Sequence, residues 1–169
     1  MTRLHARAVL DYPFAAPATD GSVVEVAPGI LWVRMPMPMA LDHINVYLLR
    51  GSEGWTLIDT GLNTELTRER WEYIASAHLQ GLPIVRLVCT HMHYDHAGLA
   101  SWLCGRFNIP LYMTHGEYYM MRALAEPMPD PLPQAQAEFY QRAGMPQERV
   151  DHMWKAMRKD PFLPPQPNS

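Results

Sequence analysis

"CTHMHYDHAGLASW", Cys89 to Trp102, sets three histidines and one aspartate within six residues, between an apolar run and a Gly-Leu-Ala turn. Imidazole and carboxylate groups so crowded make a poor core, because buried charge is costly unless it is paired or bound to a metal. The preceding "IVRLVC", Ile84 to Cys89, is apolar and β-branched enough to be a buried strand. The cluster therefore follows a strand's C-terminal end, a position that ligand sites in α/β sheets favour. His91 and His93 stand two apart, so in an extended segment they point the same way and can share one cation; Asp95 and His96 follow where the chain turns toward a helix and can face a second. Neutral imidazole and carboxylate are zinc donors, and two metals about 3.5–4 Å apart can clamp a bridging hydroxide. H-x-H-x-D-H arises by composition alone in roughly one in a thousand such chains.

Working outward, "SVVEVAPGILWVRMPMP" predicts two short strands around a Pro28-Gly29 turn, and "INVYLLR" (Ile44 to Arg50) with "WTLID" (Trp55 to Asp59) a second antiparallel pair. From Thr64, an N-cap candidate, the period becomes helical through Leu66, Arg70, Tyr73, Ile74 and Ala77, until Gly81-Leu82-Pro83 stops it. Downstream of the cluster, Gly98 to Phe107 predicts a short helix and Ile109 to Met113 another strand. This order implies a mixed α/β layer with the cluster at one end. From Gly116 only helical grammar follows: "GEYYMMRALAE", "PQAQAEFYQRAG" and "PQERVDHMWKAMRK", the last with a stripe of Val150, Met153, Trp154 and Met157. The division expected is an extension (1–21), an α/β layer (22–115), a helical segment (116–160) joined through the Pro-rich "PMPDPLP", and a Pro-rich end (161–169) where the chain reads as cut.

Composition narrows the function classes. A formal net charge of -3 without a Lys/Arg cluster leaves no electrostatic footprint for nucleic acid or an anionic membrane. The N-terminus lacks the apolar run of a signal peptide, no segment approaches transmembrane length, and the expected location is cytoplasmic. Cys89 and Cys104 read as small buried hydrophobes rather than a disulfide.

"THMHYDHAG", with "LIDTG" upstream, resembles the metallo-β-lactamase superfamily over about residues 22–113. The resemblance implies an αββα sandwich, α/β (α+β) in class, of which this chain carries the first half plus an appended helical segment. It implies that His91 and His93 bind a first metal and Asp95 and His96 a second. Asp95 would also orient the attacking hydroxide, and Asp59 would brace the ligand loop; without the family, Asp59 reads equally as a turn aspartate capping Thr60-Gly61. His96, with no signal peptide, argues against an antibiotic-degrading enzyme, and His93 in place of Glu argues against a flavodiiron centre. Met92 differs from the histidine of hydroxyacylglutathione hydrolases, and the lack of basic surface argues against the family's nucleases. What remains implied is a hydrolase in which metal-bound hydroxide attacks a thioester, lactone or related small-molecule acyl carbonyl. Zinc is the expected metal, two ions in the complete site, with iron or manganese as alternatives. Two other readings stay open: a mono-iron sulfur dioxygenase-like enzyme of the same fold, similar to the persulfide dioxygenases, and a non-catalytic metal-binding half-domain.

The family's second half supplies further metal ligands, whereas after His96 this chain offers only His115 and His152. Each cation would then have two protein donors instead of the usual three, so either a homodimer or a missing C-terminal half is expected to complete the protein. His43 could line the pocket mouth or sit on the surface, and His115 could approach the site. Tyr118 and Tyr119 could form an acyl pocket, though such stripes usually pack.

Overall fold

Four successive segments rich in β-branched and aromatic residues, with burial alternating along the second, third and fourth, build an antiparallel meander. In the computed structural model, which describes residues 11–124 and 130–158, these are β1 (Val23–Ala27), β2 (Ile30–Pro36), β3 (His43–Arg50) and β4 (Trp55–Ile58). After β4 the chain enters α1 (Glu65–Ala77) and returns as β5 (Ile84–Val88), parallel to β4. It then passes through α2 (Tyr94–Ala97) and α3 (Ala100–Phe107) to β6 (Leu111–Tyr112), parallel to β5. The result is one six-stranded sheet in the order β1-β2-β3-β4-β5-β6. Parallel neighbours need a long crossover, and the helices supply it.

One face of the sheet is the core. Leu31, Val33 and Met35 of β2, Ile44, Val46 and Leu48 of β3, Leu57 of β4 and Leu87 of β5 are buried together with Trp71 and Ile74 of α1 and Leu103 of α3. Each such side chain contributes roughly 1.5–3 kcal/mol by leaving water. An apolar row also crosses the opposite face, between polar neighbours such as Arg34, Asn45 and Arg86: the register aligns Val24, Trp32, Tyr47, Ile58, Val88 and Tyr112 across all six strands. Five of these are half-buried and Tyr112 is 51% exposed.

Several expectations change in detail. The Thr64 cap is present, its side chain accepting a hydrogen bond from the Thr67 amide. However, the buried stripe of α1 is Thr67, Trp71 and Ile74, whereas Leu66 and Tyr73 are 43% and 50% exposed. The indole of Trp71 reaches the Thr60 carbonyl at 2.7 Å, and this anchor rotates the helix away from the face that its aliphatic spacing suggested. The single helix expected from Gly98 is instead two, because the chain is already helical at Tyr94 and turns at Gly98-Leu99. The strand expected over Ile109–Met113 pairs only at Leu111 and Tyr112.

Three helices follow: α4 (His115–Leu124), α5 (Gln134–Arg142) and α6 (Gln147–Arg158). Met121 of α4 joins the main core, while Val150 and Trp154 of α6 are buried outside it. Part of the expected N-terminal extension and all of the Pro-rich end 161–169 lie outside the described residues. Among the described residues no helix is long and apolar enough to cross a membrane.

Candidate metal centre

The parallel strands β4, β5 and β6 end side by side, and the segments that leave their carboxyl ends meet at the cluster. Residues 89–93 run irregularly from β5 to α2, whose first turn carries Asp95 and His96. The link from β4 to α1 runs beneath. There Asp59 takes a left-handed φ of 64°, and Gly61 follows at 85°. A side chain at Gly61 would meet Thr67 at 2.9 Å and Met35 at 3.0 Å, so glycine lets this link lie flat against β2 and α1. Buried Thr60 ties the link to the motif: its hydroxyl lies 2.9 Å from the His96 carbonyl and accepts from the Leu99 amide at 3.2 Å.

The imidazoles of the motif are in mutual contact. His91 Nε2 lies 2.9 Å from His93 Nδ1, and the rings of His91 and His96 are 3.9 Å apart between centroids. Asp95 joins through His96, with Oδ2 at 3.5 Å from Nε2. Behind them Asp59, 5% exposed, accepts from the Thr90 amide at 2.7 Å and the Thr90 hydroxyl at 2.9 Å, and lies 2.9 Å from His96 Nδ1. No hydrogen bond runs from its carboxylate to Thr60 or Gly61. Since Nδ1 of His96 faces Asp59, its Nε2 is the nitrogen left toward Asp95.

Electrostatics reinforce this division of roles. Burial would raise the Asp59 carboxyl, but hydrogen bonds from His96 and Thr90 bring it below the ordinary carboxylate range. Burial opposes protonation of His96, yet the bond to Asp59 and the charges of Asp59 and Asp95 raise it overall. His91 is lowered, by burial first and then by the neighbouring His96 and His93. A neutral His91 keeps a lone pair for a cation.

The donor set suits a divalent cation in kind and comes in pairs. Two nitrogens on one tetrahedral zinc stand about 3.3 Å apart, a little wider than the 2.9 Å between His91 Nε2 and His93 Nδ1. Among the described residues no group of three or more His, Cys, Asp or Glu side chains is spaced to hold a metal ion. His43 lies away from the cluster's bonds, its Nδ1 2.5 Å from Asp42. His115 opens α4 and stacks edgewise with Tyr119.

Sequence reasoning missed two contributors. Thr90 anchors the loop to Asp59 through amide and hydroxyl, and Glu117 of α4 accepts from the Met92 amide at 2.8 Å. Thr90 adjoins the motif and could have been suspected. Glu117 carries no local signal.

The profile of the Metallo-beta-lactamase superfamily matches residues 39–164. The chain belongs to that superfamily. A solved beta-lactamase domain protein from Burkholderia ambifaria is 43% identical and superimposes with a TM-score of 0.69 over 84% of this chain and 43% of its own. A Bacillus subtilis (strain 168) relative, "Probable metallo-hydrolase YqjP", is 41% identical over 71 residues, which are 41% of this chain and 22% of that protein. The acyl-coenzyme A thioesterase MBLAC2 of Bos taurus is 34% identical over 79 residues, 41% of this chain and 27% of that protein. This superfamily chain thus spans well under two thirds of each of these proteins.

Proposed function

We propose that this chain carries the metal-binding half of a hydrolase that cleaves thioesters, lactones or related acyl compounds. The observation that carries the proposal is the convergence of His91, His93 and His96 at the carboxyl end of β5, with His96 held by buried Asp59. The likeness to proteins named as a metallo-hydrolase and a thioesterase supports the reaction class. His91 and His93 would hold one divalent cation, zinc by preference, and Asp95 with His96 a second. When bound, such ions supply Lewis-acid polarisation of the carbonyl and a nucleophilic water at neutral pH. Asp59 accepts the hydrogen bond from Nδ1–H of His96 and so keeps Nε2 available as a donor, while Asp95 would orient the attacking water.

Zinc titration and thiol release from acyl thioesters on the chelator-stripped chain test this. Binding is expected to be measurable but weak, since pairs of donors fall short of three. The share held by His91 and His93 should vanish in His91→Ala, and thioester or lactone hydrolysis by this chain should be slight or nil and depend on added metal. Metal-independent turnover would overturn the proposal. Oxygen uptake with a persulfide by the iron-loaded chain, in place of hydrolysis, would favour the mono-iron reading.

A further inference from the structure

The loop that carries His91 is held by two carboxylates from different parts of the fold. Asp59, at the end of β4, accepts from the Thr90 amide at 2.7 Å. Glu117, in the first turn of α4, accepts from the Met92 amide at 2.8 Å. These amides flank His91, and Met92 alone separates it from His93. The loop lies outside the sheet ladder and α2 begins at Tyr94, so secondary structure gives the Met92 amide no partner of its own. Glu117 is itself half-buried, and α4 is fixed to the core through Met121 and Tyr118. The carboxylate is therefore presented from a packed helix rather than from a loose surface.

We infer that Glu117 is a positioning residue of this centre: by gripping the Met92 amide it sets the separation of His91 and His93. The inference rests on reading those histidines as a metal pair. A carboxylate accepting an amide proton makes a charge-assisted bond, stronger than a neutral one. Groups that orient metal ligands from behind are worth about 10–100-fold in metal affinity. Helix α4 thus acts as a strut of the site, although its own side chains supply none of the four proposed ligands.

The test compares Glu117→Ala and Glu117→Gln in the full chain, by residue-resolved hydrogen exchange at Met92 and by zinc titration against a competing chelator. In Glu117→Ala, Met92 should exchange at least about tenfold faster and zinc affinity should fall by about 10–100-fold. Glu117→Gln keeps an oxygen acceptor and should retain most of both. Thr90, held by Asp59, should keep its protection in either variant and report that the loop still folds. Unchanged Met92 protection in Glu117→Ala would overturn the inference. So would a loss of zinc affinity without faster Met92 exchange, which would make Glu117 a remote charge rather than a clamp. If the wild-type chain binds no zinc while Met92 loses protection in Glu117→Ala, the metal reading fails and the clamp stands.

Discussion

Asp59 combines a left-handed backbone, burial and a carboxylate shared between the Thr90 amide, the Thr90 hydroxyl and His96. Aspartate tolerates that backbone better than most non-glycine residues. Removing the carboxylate strands a part-buried amide and an imidazole, so Asp59→Ala should cost about 1–3 kcal/mol in urea unfolding. Asp59→Asn, which retains an acceptor and the same backbone tolerance, should cost less; equal losses would mean that the carboxylate's bonds are not what matters. The two cysteines make a second contrast. Burial, then the charges of Asp59 and Cys104, pushes the Cys89 thiol far above its ordinary value, and burial raises Cys104 less. Both thiols are free in the structure. Alkylation of the native protein near pH 8 should leave Cys89 unlabelled until the chain unfolds, with any native labelling confined to Cys104. Rapid native labelling of Cys89 would contradict its placement.

Helix α1 shows how a polar anchor outweighs aliphatic spacing at the scale of an element. Trp71 is fully buried and donates to the Thr60 carbonyl, whereas Leu66 is 43% exposed. Trp71→Ala should therefore lower stability by about 3–5 kcal/mol, while Leu66→Ala should stay within about 0.5 kcal/mol. Comparable losses, read from denaturant midpoints, would put the buried face where the periodicity first suggested. The same anchor matters to the site, because Thr60 also contacts the backbone of His96 and Leu99. A change at Trp71 should thus loosen the motif as well as the helix.

For the whole molecule, the second apolar face is the decisive surface. The row from Val24 through Trp32, Tyr47, Ile58 and Val88 to Tyr112 crosses all six strands between polar neighbours, and part-exposed apolar area of this kind promotes association. We propose that residues 1–169 alone pair through this face with a second copy, since two such sheets stack naturally face to face. Sedimentation velocity should show a dimer that Tyr47→Lys weakens; a stable wild-type monomer would refute it. The expected division between the sheet layer and the helical segment, drawn after α4 because Met121 joins the main core, has a test of its own. Limited proteolysis in 127–133 should leave a stable core that retains α4.

What the chain determined by itself is local. The density of donors from His91 to His96, the β-branched run before them, the Thr64 cap and the Pro28-Gly29 turn between β1 and β2 are all short-range patterns, and each places an element or a group without reference to the rest of the chain. Tertiary structure alone decided which side of α1 is buried, that Asp59 turns to His96 across 37 positions, and that Glu117 reaches Met92 across 25. It also aligned the second apolar row across six strands through the register of their pairing. Such contacts join residues distant in sequence, and they depend on helix rotation, sheet order and packing, which no short window of residues encodes.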